Sequence, residues 1–209
     1  TIINSFVSND VDLILANATP ALQAAAAGTD TIPILGTAVT EYGVALGLDD
    51  FNGTVGGNIS GTSDLAPLDQ QAAMLQELFP DAKTVGLLYC SAEPNSKYQV
   101  DTVKAALEEL GYTCEYYAFS DSNDLSSVTT TAASESDVIY VPTDNTVASN
   151  TEIINNICLP EKVPVITGEE GICAGCGVAT LSISYYDLGY ATGEMAVRIL
   201  ADGEDISTM

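Results

Sequence analysis

Short apolar runs alternate with amphipathic segments along most of this chain. Runs rich in Val, Ile, Leu and Tyr predict buried strands over residues 11–16, 32–35, 84–90, 113–119, 138–141, 163–167 and 178–184. Apolar residues that recur every three or four positions predict helices over residues 19–27, 68–79, 96–110, 125–133, 147–159 and 188–200. Strands that alternate with helices are typical of parallel βαβ units, so the pattern predicts an α/β fold with doubly wound parallel sheets.

One polar segment interrupts this alternation. Residues 43–63, GVALGLDDFNGTVGGNISGTS, are rich in Gly, Asn, Ser and Thr and predict an irregular connector between two domains. The four strands predicted within 68–167 are enough for one sheet, and the elements before residue 43 form part of another. A helical pattern begins at Ile2 without a capping residue before it, and the chain stops just after a helix. We therefore expect the chain to be part of a longer protein.

The net charge and the absence of some residue types argue against several classes of function. The 29 acidic residues against five basic ones give a formal charge of −24, which argues against a nucleic-acid partner. Histidine, the commonest general base and metal ligand, is absent. The sequence also lacks a GxSxG elbow, a P-loop and a GxGxxG after a strand. These absences argue against an enzyme, and we expect neither a metal nor a cofactor.

Five cysteines are present, and two of them form a CxxC motif, Cys173 and Cys176. The motif is predicted to lie in a Gly-rich loop between two strands, whereas a thioredoxin-type CxxC begins a helix. A zinc site needs four ligands, and no second pair is present. The spacing therefore favours a local disulfide or free thiols over a metal site or a redox role.

Acidic side chains follow three of the predicted strands, where ligands of open parallel sheets bind. Glu93 follows the strand over 84–90, Asp144 follows 138–141, and Glu169 follows 163–167. Taken alone, Asp144 has two interpretations: it caps the next helix, or it binds a cationic ligand. The helices that begin near Thr19, interpreted as an N-cap, and near Ser96 offer free N–H groups that favour an anion.

Carboxylates and helix N-termini at the same edges suit a zwitterion. The carboxylates would bind an ammonium group, and the helix N-termini would bind a carboxylate. The pattern therefore favours a free amino acid as ligand, with Asp144 as the group that meets its ammonium.

Several phrases together resemble one known family. They are NATPALQAAA, IPILGTAVT, NISGTSD, LYCSAEPNS, YVPTDNTVASN and SISYYDLGYATGEMAVRIL. The chain resembles the substrate-binding proteins of bacterial ABC transporters, in the group that includes aromatic amino-acid binders. The resemblance covers nearly the whole chain, and its phrases are specific as a set and weak one at a time.

The resemblance implies the type I periplasmic-binding-protein fold, with two α/β lobes and a ligand between them. It implies an incomplete N-terminal lobe over 1–62, a C-terminal lobe over 63–178, and a crossing strand and returning helix over 179–209. The ligand would be an aromatic or branched apolar amino acid. The ligand-binding residues carried across by position are Thr19, Thr37, Thr40, Ser91, Glu93, Asn95, Ser96, Asp144, Asn145 and Glu169.

The resemblance also implies an extracytoplasmic location, with a membrane permease as partner and a lipid anchor on a preceding segment. A second class shares the fold, namely sugar- or small-molecule-sensing domains of regulators of the lactose-repressor type. Such a domain acts with a DNA-binding domain, against which the charge of −24 argues. Sugar sites also tend to use Arg and Asn, and the only arginine, Arg198, lies late in a predicted helix.

Overall fold

A computed structural model describes residues 2–209, which fold into helices and two parallel sheets. The strands are β1 Ile14–Asn17, β2 Ile34–Val39, β3 Ile59–Ser63, β4 Thr84–Cys90, β5 Thr113–Phe119, β6 Val138–Val141, β7 Val165–Thr167 and β8 Ala179–Thr180. The helices are α1 Ile2–Ser8, α2 Thr19–Gly28, α3 Tyr42–Leu46, α4 Leu68–Leu78, α5 Pro94–Glu109, α6 Ser122–Glu135, α7 Asn145–Ala148, α8 Thr151–Glu161, α9 Glu170–Cys176 and α10 Tyr185–Leu200. The predicted α/β fold with parallel sheets is confirmed.

The chain divides into two compact units. The first consists of residues 2–65 together with Ser184–Met209, and the second consists of Ala66–Ile183. The first unit contains a three-stranded sheet in the order β1-β2-β3, with α10 packed on β2 and β3. The second contains a five-stranded sheet in the order β5-β4-β6-β7-β8. Within the described residues, no helix is long and apolar enough to cross a membrane.

The five-stranded sheet is covered by helices on both faces, and the interior strand β4 alternates its side chains between them. Val85, Leu87 and Tyr89 of β4 pack with apolar residues of α4 and α5. Leu88 and Cys90, on the opposite face of the same strand, pack with apolar residues of α6 and α8. Side chains of a strand point to opposite faces in turn, so a fully apolar strand requires two helical layers.

The segment predicted to be an irregular connector instead contains α3 and the strand β3, and the prediction was wrong there. The residues of β3, ISGTS, lack the apolar alternation of a predicted strand, but they pair with β2 through the backbone. Gly61 makes this approach possible because an added Cβ would lie 2.2 Å from the carbonyl oxygen of Gly36. Its φ of 151° also lies where side chains are rare. Tertiary pairing, rather than local pattern, therefore decides this strand.

Three further predictions need correction. The CxxC motif lies in the helix α9 and not in a loop. The helix predicted over 147–159 is divided into α7 and α8 at Asn150, which precedes the first residue of α8. The strand predicted over 178–184 is only Ala179–Thr180, since its pairing with β7 ends there.

Candidate functional site

The polar groups predicted from the sequence gather at the carboxyl ends of the strands, and each unit has one such edge. The second unit's edge is formed by residues 91–96 after β4, 142–146 after β6 and 168–170 after β7; we call it the five-stranded edge. The first unit's edge follows β1, β2 and β3, and we call it the three-stranded edge.

Asp144 is the most buried carboxylate of the five-stranded edge, with 1% of its surface exposed. Its Oδ1 accepts a hydrogen bond of 2.9 Å from the amide of Val147, in the first turn of α7, and thereby caps that helix. Its Oδ2 accepts 2.8 Å from the amide of Cys90 at the end of β4. Burial and then the charge of Glu93 raise the pKa of Asp144, against the opposing effect of these amides and of the Ser96 hydroxyl. Both carboxylate oxygens are thus engaged by the chain itself.

Glu93 joins two loops of the same edge. Its Oε2 accepts from the amide and side chain of Asn145 at 3.0 and 2.8 Å, and its Oε1 accepts from the amide and hydroxyl of Thr146 at 2.9 and 2.7 Å. Burial raises the pKa of Glu93, but these four donors together outweigh it and leave the pKa below its ordinary value. Glu93 is therefore held as a carboxylate.

Two buried amides fix the loop between β6 and α7. Gln99 pairs with the backbone of Thr143 in both directions, donating to its carbonyl at 3.0 Å and accepting from its amide at 3.0 Å. Asn95 donates to the same carbonyl at 3.2 Å, while its Oδ1 is buried without a hydrogen-bond partner. Ser96, also predicted for the site, is fully buried beside Asp144. Gln99 was not predicted, because its helical position carries no signal of this contact.

The remaining predicted residues of this edge differ in exposure. Glu169 caps α9 by accepting hydrogen bonds from the amides of Gly171 and Ile172. Ser91 is exposed, and its hydroxyl donates to the carbonyl of Phe119 at 3.0 Å. Asn145 is also exposed at the start of α7, although its amide group is bound to Glu93.

The three-stranded edge contains the predicted threonines, all of them buried. Thr19 is the first residue of α2, and the capping residue is Ala18, which makes no side-chain cap; the predicted capping role of Thr19 was therefore wrong. Thr37 accepts a hydrogen bond of 3.1 Å from Thr192 of α10. Thr40 follows β2, and its carbonyl accepts from Ser63 at 2.7 Å.

Asp64 lies directly after β3 at this edge and was missed by the sequence-based prediction. Only 4% of its surface is exposed. Its Oδ2 accepts 2.9 Å from the hydroxyl of Tyr185, the first residue of α10, whereas its Oδ1 is buried without a hydrogen-bond partner. The Thr40 hydroxyl lies near this carboxyl but without the geometry of a hydrogen bond to Oδ1. Burial raises the pKa of Asp64, against the smaller opposing effects of Tyr185, Thr40 and its own amide.

Asp64 could have been found from the sequence only by recognising β3 as a strand. The rule that strand ends carry ligand groups applies to it as it does to Asp144. The polar residues of β3, ISGTS, are typical of a connector, so the sequence pattern does not reveal the strand end that Asp64 follows. Among the described residues, no group of three or more Cys, Asp or Glu side chains is placed to hold a metal ion.

Comparisons with known proteins point to one family of binding proteins. The model of the family described as ABC transporter substrate binding protein matches residues 1–208. A relative from Clostridioides difficile (strain R20291), named tyrosine-binding protein, is 38% identical over 200 residues. That match covers 96% of this chain but 58% of the relative, so the chain spans a little over half of that protein's length.

Two solved structures match this chain over its whole length, and each match covers 70% of the solved chain. One is the ABC domain from Streptococcus pneumonia in complex with L-Trp, at 36% identity and a TM-score of 0.94. The other is the ligand-free, open structure of a substrate binding protein with adhesive properties from Clostridium difficile, at 42% identity and a TM-score of 0.71. The fold predicted from the sequence, of the type I periplasmic-binding-protein kind, is confirmed by these matches.

Proposed function

This chain belongs to the ABC transporter substrate-binding proteins, and on that premise we propose that it binds a free amino acid with an aromatic side chain. The observation that carries the proposal is the likeness to two proteins whose names give aromatic ligands. One is the tyrosine-binding protein at 38% identity, and the other is the domain solved with L-Trp at a TM-score of 0.94. Branched apolar amino acids are the next class to consider.

The composition of the two edges supports an amino-acid ligand. Hydroxyl, amide and carboxylate groups gather at the carboxyl ends of the strands in each unit, where ligands of such sheets bind. The carboxylates Glu93, Asp144 and Glu169 accept hydrogen bonds from the chain's own N–H groups. In our proposal they hold the loops rigid, so that the exposed groups of Ser91 and Asn145 meet the ligand without reorganisation.

The buried threonines of the three-stranded edge complete the proposed set. These side chains are small and polar: Thr19 lies two residues after β1, Thr37 lies within β2 toward its carboxyl end, and Thr40 directly follows β2. We assign the first unit to the N-terminal lobe of the family fold and the second unit to the C-terminal lobe.

The proposed role is capture and delivery rather than chemistry. A substrate-binding protein presents its ligand to a membrane permease, so we propose an ABC permease as partner and an extracytoplasmic location, with attachment through a lipid anchor. No catalytic group is needed, which suits a sequence without histidine.

Native mass spectrometry and calorimetric titration test this function. The purified protein is first examined for a co-purified amino acid. It is then titrated with L-tyrosine, L-tryptophan, L-phenylalanine, L-leucine and L-isoleucine, with D-glucose and D-galactose as controls. We expect saturable binding of at least one aromatic amino acid and none of the sugars. Binding of a sugar alone would instead favour a sugar-sensing domain.

A further inference from the structure

The carboxylates predicted from the sequence to meet an ammonium group already have donors. Asp144 accepts one backbone amide on each oxygen, and Glu93 accepts two donors on Oε1 and three on Oε2. Glu169 accepts the first amides of α9 on both of its oxygens. A carboxylate whose charge is met by fixed N–H groups gains less from a ligand's ammonium than one without them.

Asp64 differs from these three because one of its oxygens lacks a donor. Oδ1 is buried and without a hydrogen-bond partner, while Oδ2 accepts from Tyr185. Buried polar atoms are nearly always hydrogen-bonded, and a buried carboxylate is usually also paired with a cation. A side chain that departs from both rules at a strand end is a candidate for ligand binding.

Among the described residues of the first unit, no Lys or Arg side chain is left unpaired beside Asp64. The only Lys or Arg of that unit is Arg198, whose guanidinium already pairs with Glu204 at 2.6 Å. Asp64 takes part in none of the ion pairs formed by the described side chains. A cationic donor from a ligand would both bond to the Oδ1 atom of Asp64 and balance the charge of its carboxylate.

We propose that Asp64 is the carboxylate that receives the ammonium group of the amino-acid ligand, through Oδ1, while Tyr185 holds Oδ2 in place. This rests on the proposed function, because it presupposes an amino acid as ligand. Thr40, whose hydroxyl lies near the same carboxyl, is the neighbouring group that the ammonium would meet next. The inference moves the recognition of the ammonium from Asp144 to a residue absent from the predicted set.

Paired ligands that differ only in the ammonium group test the inference. L-tyrosine is compared with 3-(4-hydroxyphenyl)propanoate, and L-tryptophan with 3-indolepropanoate, by calorimetric titration of the wild-type protein and of Asp64→Asn. Asparagine keeps an oxygen that can accept from Tyr185 and removes the charge. We expect Asp64→Asn to weaken the amino acids by about 10- to 150-fold, the range for a charge-assisted hydrogen bond. The affinities for the two propanoates should change by less than about threefold, because these ligands have no ammonium group.

The matched control is Asp121→Asn, which changes an exposed carboxylate that caps α6. It should leave all four affinities unchanged. Should Asp64→Asn fold poorly, Asp64→Ala provides the same comparison, because the inference concerns the ratio of the paired affinities and not their absolute values. Circular dichroism of each variant verifies the fold.

The possible results separate the two proposals. If the wild type prefers the amino acids and Asp64→Asn keeps that preference, the ammonium is bound elsewhere and the inference is wrong. If the wild type binds amino acids and propanoates equally, the inference is again wrong, while the proposed function stands. If the wild type binds none of the amino acids, the proposed function fails and the inference falls with it.

Discussion

The two edges differ in how their buried carboxylates are hydrogen-bonded. At the five-stranded edge, Glu93, Asp144 and Glu169 accept hydrogen bonds from amide or hydroxyl groups, and these bonds hold the loops of the edge in place. At the three-stranded edge, Asp64 is as well buried but keeps one oxygen without a partner. Carboxylates of the first kind contribute to folding, whereas one of the second kind costs folding free energy unless a cation binds. Substitutions that remove these carboxylates should therefore change the free energy of unfolding in opposite directions at the two edges.

The largest expected effect is at Asp144. In Asp144→Asn, an NH₂ group replaces an oxygen that accepts from Cys90 or Val147, so one buried amide loses its acceptor and faces another donor. We expect a loss of about 2–4 kcal/mol in the free energy of unfolding. Urea denaturation measures it, with Asp121→Asn, an exposed helix cap, losing less than about 1 kcal/mol. Equal losses in the two variants would contradict this account of the edge.

Glu93→Gln should show a smaller loss that depends on pH. The pKa of Glu93 in the folded protein is lowered, so its stabilisation is complete above its unfolded value of about 4.5. The stabilisation is lost as pH falls through the folded pKa. We expect the variant to be about 1–3 kcal/mol less stable than the wild type at pH 7. The difference should shrink below pH 4, as thermal or urea unfolding at both pH values will show. A constant difference would refute the charge-based explanation.

Asp64→Asn should have the opposite pH dependence. The folded pKa of Asp64 is raised, so the folded protein binds this proton more tightly than the unfolded chain. Its contribution favours folding below the unfolded value of about 3.8 and is lost as pH rises through the folded pKa. Without ligand, the variant should therefore gain stability relative to the wild type as pH rises, by on the order of 1 kcal/mol. A relative loss with rising pH would mean that Asp64 is stabilised by partners within the protein.

The smallest effect concerns the CxxC motif in the second unit. All five cysteines are free, and Cys173 and Cys176 lie three positions apart in α9, on one side of the helix. That spacing permits a local disulfide. We expect five thiols per chain under denaturing conditions after reduction, and three after preparation under oxidising conditions. Five thiols after oxidation would exclude the disulfide, and bound zinc would exclude both interpretations.

The comparison of the edges also separates what local sequence predicts from what it misses. The bounds of β4, β5 and β6 follow from the sequence because β4 and β6 are apolar runs buried on both faces, and β5 is a run rich in Tyr and Phe that follows the turn at Gly111. The positions of Glu93, Asp144 and Glu169 at strand ends followed from the same pattern. Their hydrogen-bond partners did not, since Glu93 accepts from Asn145, 52 residues away, and no period in the chain encodes that distance.

By itself, the sequence determined the alternation of strands and helices, the parallel sheets, the acidic strand ends and the family resemblance. Each of these depends on neighbouring residues or on phrases of a few residues. Only the tertiary structure decided that β3 is a strand, because its polar residues gain their place by pairing with β2 and not by apolar burial. It also decided which carboxylates already have donors. Hydrogen-bond partners come from distant segments, so the open oxygen of Asp64 becomes visible only when β3 and the start of α10 are brought together.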